Sequence, residues 1–154
     1  EDKWIHEVYW KIYCVPQYKN VPKRIIVKEY LADDINTYKF YCFNGKPEVC
    51  YVSKNGEHGE KDYYIDYFDM EWNWLPISLE GHKHYEGKIE KPNEFEKMKS
   101  LSAQLASDFP FVRVDLYDVA QKIYFSELTF IPTGGNMKLI PKGIIKEWGE
   151  KLKL

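Results

Sequence analysis

The stretch FVRVDLYDVAQKIYFSELTF, residues 111–130, predicts a pair of β-strands and decides the fold. Residues 111–117 and 122–130 are rich in the β-branched and aromatic side chains that strands favour. Residues 118–121 between them are enough for a short turn. An antiparallel strand pair therefore lies at the centre of the predicted fold.

Side-chain alternation in these two strands brings polar groups together, because successive side chains of a strand point to opposite faces of its sheet. The apolar face of the first strand carries Val112, Val114 and Leu116. Its other face carries Arg113, Asp115 and Tyr117. One face of the second strand carries Ile123, Phe125, Glu127 and Thr129. Neighbouring strands can thus present four polar side chains to one space: Arg113, Asp115, Glu127 and Thr129.

Two carboxylates beside an arginine permit two interpretations, because buried charge is costly unless it is paired or used. Mg²⁺ takes one or two carboxylates together with substrate phosphates and water, which predicts Asp115 and Glu127 as metal ligands. Arg113 then suits a phosphate or a developing oxyanion. Alternatively, Arg113 forms a buried ion-pair network with Asp115 or Glu127 that fixes the strand register. Spacing alone does not decide between the two.

Upstream, residues 38–43 and 46–52 flank Asn44–Gly45, a strong signal for a β-hairpin because both turn positions tolerate positive φ. A two-residue turn pairs Phe43 with Lys46, Phe40 with Val49, and Lys39 with Cys50. We expect Cys42 and Cys50 to point to opposite faces, where they cannot form a disulfide.

Residues 24–31, RIIVKEYL, are apolar and β-branched and predict a buried strand. A helix is predicted over residues 93–108, with Asn93 as its N-cap and Glu96 completing a capping box. Its apolar stripe comprises Phe95, Met98, Leu101 and Leu105. Residues 142–152 predict a second, amphipathic helix. The order of elements predicts an α+β domain, an antiparallel β-sheet with flanking helices.

Composition limits the class of protein. The 154 residues, 44% hydrophobic, suit a single domain over residues 1–154. A formal net charge of -2 argues against nucleic acid as a partner. The sequence contains no apolar run near the roughly 20 residues of a transmembrane segment. Three widely spaced cysteines without a CxxC pair are typical of a reducing compartment, so we expect a cytoplasmic location.

Aromatic residues make up 17% of the chain, which suits either a carbohydrate-binding surface or well-filled strands. Trp72 and Trp74 allow the same two interpretations, sugar stacking or core packing. His82 and His84 form an H-x-H pair, which favours a surface loop over a zinc site because no third ligand follows at a suitable spacing.

Five phrases carry a resemblance to a known family: VPKRIIVKEYL, YKFYCFNGKP, WNWLP, DFPFVRVDLY and IYFSELTFIPTGG. The R-x-D strand, the following E-x-T strand and the Gly/Pro loop resemble the C-terminal signature of ATP-grasp ligases. The closer resemblance is to the TupA-like ATP-grasp branch, and it extends from about Tyr18 to Leu154. The upstream lobe of such ligases is not evident, and the aromatic stretch after Glu1 suggests a missing upstream segment. We therefore expect a C-terminal portion that lacks the N-terminal lobe.

The resemblance implies a role for each matching residue. Asp115 and Glu127 would bind the Mg²⁺ that bridges ATP phosphates, and Arg113 would steady the acyl phosphate. Lys39 would face the phosphates, or alternatively would be a solvated surface lysine. The residues that match the adenine and ribose hinge are Lys28, Glu29, Tyr30 and Leu31.

The chain departs from the wider ATP-grasp pattern at two positions. Thr129 stands where many of these enzymes have a metal-binding asparagine, and Asn136 is a possible substitute. Thr37 stands where an acid often precedes the basic residue.

By resemblance, the expected activity is ATP- and Mg²⁺-dependent carboxylate–amine ligation through an acyl phosphate. The TupA-like branch is associated with cell-surface polysaccharide and teichuronopeptide synthesis, which implies a small-molecule or glycan acceptor. The alternatives are a non-catalytic carbohydrate-binding module and an inactive ATP-grasp fragment.

Overall fold

A computed structural model describes residues 8–12, 15–33, 35–55 and 63–153 of the protein. The α-helices in these ranges are α1 Tyr9–Ile12, α2 Phe95–Ala106 and α3 Ile144–Glu150. The strands are β1 Thr37–Phe43, β2 Lys46–Asn55, β3 Tyr63–Phe68, β4 Trp74–Leu75, β5 Ser78–Leu79, β6 Phe111–Val119, β7 Lys122–Thr129 and β8 Leu139–Ile140. Short 3₁₀ turns cover Pro16–Tyr18 and Pro132–Gly135.

One six-stranded sheet organises the chain, in the order β4-β3-β2-β1-β6-β7, and every neighbouring pair is antiparallel. Strands β5 and β8 form a separate antiparallel pair. The predicted α+β class is confirmed. Among the described residues, no helix has the length and hydrophobicity needed to cross a membrane.

The sheet separates two cores. Helix α2 covers one face, where Phe40, Phe95, Met98 and Val114 are fully buried. We call this the helix-side face. The opposite face is packed by aromatic side chains, and Trp148 of α3 contacts Tyr41 with ring centroids 4.9 Å apart. The residues buried on this opposite face are Tyr41, Phe43, Val49, Tyr51, Ile65, Tyr67, Ile77, Leu139 and Trp148.

The predicted hairpin forms, with φ of 49° at Asn44 and 78° at Gly45. Phe43 pairs with Lys46 as expected, but the register then shifts at a bulge between Tyr41 and Cys42. The pairs beyond the bulge are Phe40 with Cys50 and Lys39 with Tyr51. The two predicted pairs beyond this point, Phe40 with Val49 and Lys39 with Cys50, are therefore wrong by one residue.

Because of this shift, Cys42 and Cys50 are buried on the same helix-side face, and the prediction of opposite faces is wrong. Both are free thiols. Cys14 lies outside the described residues. Proline lacks the N–H that a strand ladder uses, so it is often found at bulges, and Pro47 lies beside this one.

Helix α2 begins later than predicted. Glu94 is its N-cap residue and makes no side-chain cap bond, so the Asn93 capping box is wrong. Glu96 instead forms ion pairs with Lys91 at 2.9 Å and Lys99 at 3.0 Å. The buried stripe comprises Phe95, Met98, Ser102 and Ala106, whereas the predicted member Leu105 is 38% exposed. Small residues let the end of the helix approach the sheet closely.

Residues 24–31 do not form the predicted buried strand. Ile26 and Val27 are 79% and 90% exposed. β-Branched residues favour an extended backbone, but a strand also needs a neighbour whose N–H and C=O groups complete its ladder. This segment lies outside both sheets and lines a cavity beside β7.

Candidate nucleotide and metal site

The polar residues of β6 and β7 meet on the face of the sheet opposite α2. Asp115 pairs directly with Glu127, and Arg113 pairs with Thr129. The two strands turn at Ala120 and Gln121, which have φ of 51° and 63°. The four side chains predicted to share a space are thus brought together.

A bulge in β7 changes the rest of the predicted face. Asp115 pairs with Glu127 but Leu116 pairs with Phe125, so Ser126 is an extra residue. Phe125 therefore lies opposite Leu116 on the helix-side face, and Ile123 packs against the same core. The prediction that these two apolar residues share a face with Glu127 is wrong, because strict alternation fails at a bulge.

Arg113 connects both carboxylates. Its Nε donates to Asp115 Oδ1 at 2.7 Å, and its Nη2 donates to Asp115 Oδ2 at 2.8 Å. The same Nη2 lies 3.2 Å from Glu127 Oε1 and 2.9 Å from Thr129 Oγ1. Two parallel bonds of this kind are the strongest way an arginine holds a carboxylate. The Asp115 side chain is fully buried, whereas that of Glu127 is 56% exposed.

Lys39 brings a second cation from the neighbouring strand. It is the β1 partner of Asp115, and its Nζ forms an ion pair with Asp115 Oδ2. The Lys39 side chain is 14% exposed, so it does not lie on a solvated face as one interpretation held. Lys39 Nζ and Arg113 Cζ each lie 5.8 Å from the centre of the Tyr51 ring, whose face attracts both cations.

The cluster of Lys39, Arg113, Asp115 and Glu127 combines two cations with two carboxylates, so its formal charges balance. Burial lowers the pKa of the Arg113 guanidinium, but the hydrogen bonds and charge of Asp115, with Tyr51 and Tyr41, raise it overall. Burial raises the pKa of the neighbouring Tyr41 to about 12 despite the Arg113 charge. Both residues therefore keep their protons at neutral pH.

A cavity of about 1000 Å³ adjoins this cluster. One wall contains the residues predicted to bind adenine and ribose: Lys28, Glu29, Tyr30 and Leu31. The other wall contains Thr37, Tyr117, Tyr124, Phe125 and Ser126. Lys28 Nζ donates to the Ser126 carbonyl at 3.0 Å and ties the two walls together.

The cavity and the charged cluster share their strands. Ser126 immediately precedes Glu127, Tyr117 is two residues from Asp115, and Thr37 is two residues from Lys39. Residues two apart in a strand point to the same face. A ligand in the cavity therefore lies beside the cluster on three strands.

The donor set fits Mg²⁺ in type and number, since one or two carboxylates completed by phosphates and water are what this ion uses. The fit is immediate at Glu127, whose Oε2 takes part in none of the contacts above. At Asp115 both oxygens contact cations. The described residues contain no cluster of three or more acidic, histidine or cysteine ligands.

The departures from the ATP-grasp pattern have different surroundings. The Thr129 hydroxyl accepts from Arg113 and donates to Glu127 Oε1 at 3.2 Å, so it orients the carboxylate. Asn136 is exposed beyond the 3₁₀ turn, where its backbone N–H donates to Thr133.

Sequence analysis missed a second polar cluster on β3. Buried Asp66 accepts from Trp74 Nε1 at 2.9 Å and from the Tyr85 backbone N–H at 2.9 Å. His84 contacts Asp66 through Nδ1 at 2.9 Å and Ser78 through Nε2 at 2.6 Å. These bonds hold the loop after β5 against the sheet. Only the mixture of polar and aromatic residues in this region hinted at such a network.

The side chains singled out in the loop region, His82, His84, Trp72 and Trp74, all contact other residues of the protein. His84 faces Asp66, and the His82 ring lies 5.6 Å from that of Tyr63, so these two histidines do not converge on a metal. Trp72 stacks on Phe68 at 4.3 Å, which favours core packing. Trp74 remains 51% exposed, with its N–H bound to Asp66.

Comparison with known proteins identifies a family for this chain. A family model described as TupA-like ATPgrasp matches residues 2–153, nearly the whole chain, and confirms the resemblance identified in the sequence. Searches of curated proteins and of solved structures find no match.

Proposed function

Because the chain belongs to the TupA-like ATPgrasp family, we propose that it is an ATP- and Mg²⁺-dependent carboxylate–amine ligase. The observation that carries this proposal is the shared position of cavity and cluster. Lys28, Glu29, Tyr30 and Leu31 line a cavity whose opposite wall continues into the strands of Asp115, Glu127 and Lys39. Nucleotide and ion would then meet at one edge of the sheet.

The cavity suits a nucleotide base. Tyr30, Tyr124 and Phe125 supply aromatic surface against which a purine can stack. The backbone of residues 28–31 lines the cavity outside both sheets, where its N–H and C=O groups would face the edge of the base. Glu29 is suited to accept a hydrogen bond from a ribose hydroxyl.

The cluster suits the polyphosphate. Lys39 and Arg113 carry the positive charge that phosphate oxygens require, and the planar fork of Arg113 also matches an acyl phosphate. Asp115 and Glu127 would hold the ion, with Thr129 orienting Glu127. When bound, Mg²⁺ neutralises the charge that develops on the transferred phosphoryl oxygens.

In the proposed reaction a substrate carboxylate oxygen attacks the γ-phosphorus and ADP leaves. An amine nitrogen then attacks the acyl carbon of the resulting acyl phosphate, and inorganic phosphate leaves. We further propose that the acceptor belongs to cell-surface polysaccharide or teichuronopeptide synthesis, which the resemblance to the TupA-like branch supports.

Isothermal titration calorimetry with a non-hydrolysable ATP analogue tests the proposal. We expect binding in Mg²⁺ and a loss of at least about tenfold in affinity in EDTA, in Asp115→Asn and in Glu127→Gln. Glu80→Gln is the matched control, because Glu80 is 59% exposed and paired with Lys138, much as Glu127 is 56% exposed and paired with Arg113.

Two results would contradict the proposal. Equal affinity for the ATP analogue in Mg²⁺ and in EDTA would show that no metal takes part in nucleotide binding. Absence of nucleotide binding, together with oligosaccharide binding that ignores EDTA, would favour the carbohydrate-binding module instead.

A further inference from the structure

The Asp115 carboxylate has no free oxygen for an incoming ion. Arg113 contacts Oδ1 at 2.7 Å and Oδ2 at 2.8 Å, and Lys39 also contacts Oδ2. The Asp115 side chain is fully buried, so water does not reach its oxygens. A divalent cation can bind Asp115 only after one of the two side chains has moved.

Charge balance opposes an ion that arrives alone. The cluster is neutral before anything binds, so a dication would meet two ammonium or guanidinium groups at short range without net attraction. A triphosphate changes this balance, because its oxygens attract the same two cations. The Asp115 carboxylate then lacks a positive partner and can attract the dication.

Lys39 is the side chain free to move. Arg113 is held by Asp115, Glu127 and Thr129 through its planar fork. Lys39 is held by one ion pair and the Tyr51 ring, on a flexible four-carbon stem. Thr37, two residues away in β1, already lines the cavity, so Lys39 can extend along the strand towards it.

We propose that Lys39 is an exchangeable counter-ion that makes metal binding at Asp115 depend on a triphosphate. Without nucleotide, Lys39 neutralises Asp115 and keeps divalent cations out. When a triphosphate enters, the Lys39 ammonium moves to the phosphate oxygens and the vacated Asp115 oxygen accepts the ion. Lys39 is thus a positioning residue that prevents the site from filling with metal alone, and this role rests on the proposed nucleotide function.

Electron paramagnetic resonance of Mn²⁺, which reports bound against free ion without any catalysis, tests the inference. The full chain is titrated with Mn²⁺ alone and with Mn²⁺ plus inorganic tripolyphosphate, using wild type, Lys39→Met, Lys39→Arg and Lys138→Met. Lys138 is a surface lysine, 73% exposed and paired with Glu80, and serves as the control.

We expect wild type and Lys138→Met to bind Mn²⁺ weakly alone and at least about tenfold more tightly with tripolyphosphate, after correction for the Mn²⁺ that tripolyphosphate binds in solution. Lys39→Met should bind Mn²⁺ alone at least about tenfold more tightly than wild type, because one cation has left the site. Lys39→Arg keeps the charge and should bind Mn²⁺ alone as weakly as wild type does.

Measurements on the wild type alone can overturn the inference. The test therefore does not depend on whether the Lys39 variants fold. Equal Mn²⁺ affinity with and without tripolyphosphate would show that Asp115 is open to metal already. Unchanged Mn²⁺ affinity in folded Lys39→Met would show that Lys39 is not what keeps the ion from Asp115. Either result is compatible with Mg²⁺-dependent binding of the ATP analogue, so the ligase proposal would survive it. If the ATP analogue does not bind but Lys39→Met binds Mn²⁺ more tightly than wild type, the ligase proposal is contradicted and Lys39 is still the counter-ion of Asp115.

Discussion

The substitution Asp115→Asn keeps the shape of a fully buried side chain and removes the charge that balances two cations. Breaking a buried ion pair from one side costs about 3–5 kcal/mol, because the partner is left uncompensated. Here Lys39 is 14% exposed and can turn towards water, and Arg113 keeps its contact with Glu127. We therefore expect a loss of about 2–4 kcal/mol in the free energy of unfolding.

Glu127→Gln is the contrasting change at the same site. Glu127 is 56% exposed, and its pair with Arg113 is a single contact at 3.2 Å, so solvent screens most of the interaction. We expect a loss of no more than about 1 kcal/mol. The two carboxylates should thus affect nucleotide binding alike and stability very differently.

Urea denaturation followed by tryptophan fluorescence measures both losses. A double-mutant cycle that combines Asp115→Asn with Lys39→Met isolates the ion pair and should give a coupling of about 1 kcal/mol or more. If Asp115→Asn costs no more than Glu127→Gln, or if the coupling is within error of zero, the network does not stabilise the sheet. The same data establish that Asp115→Asn is folded at the temperature of the nucleotide titrations.

Two further predictions concern the hairpin and the cysteines. Gly45→Ala should lose about 1 kcal/mol more in the free energy of unfolding than Gly81→Ala. Both glycines have positive φ, but only a Cβ on Gly45 would lie 3.3 Å from the Ser107 Cα. Equal losses in urea denaturation would refute the contact between Gly45 and the helix end. Cys42 and Cys50 should stay unmodified by iodoacetamide at pH 8 in the folded chain and should react in urea. Burial raises the pKa of Cys42 to about 12 and also raises that of Cys50, and only the thiolate reacts. Rapid labelling of either cysteine peptide in the folded chain, detected by mass spectrometry, would contradict the burial.

Much of the fold and the centre of the candidate site could be predicted, because each depends on local patterns. Asn44–Gly45 requires positive φ at two adjacent positions, and the hairpin has it. The alternation of RVD against ELT was enough to bring Arg113, Asp115 and Glu127 together. These signals depend on neighbours in sequence, so one sequence is sufficient to detect them.

The errors in register come from bulges, which add a residue without a strong local signal. One extra residue near Pro47 put Cys50 on the face of Cys42, and another at Ser126 sent Phe125 to the helix-side face. On the near side of each bulge the prediction was correct: Phe43 pairs with Lys46 in the hairpin, and Glu127 lies beside Asp115. A bulge reverses every side chain beyond it, so predicted faces hold only up to the first one.

Residues 24–31 carry the most instructive error, because the pattern that predicted a buried strand also explains the cavity. Ile26 and Val27 keep the backbone extended, but without a sheet neighbour the segment lies beside the edge strand β7 rather than adding to it. An added strand would have filled the space next to Ser126 with backbone hydrogen bonds. Instead, the Lys28 side chain makes a single bond to Ser126, and the remaining gap is a cavity large enough for a nucleotide. The position of this segment outside the sheet, which makes the strand prediction wrong, is therefore the same feature on which base recognition would depend.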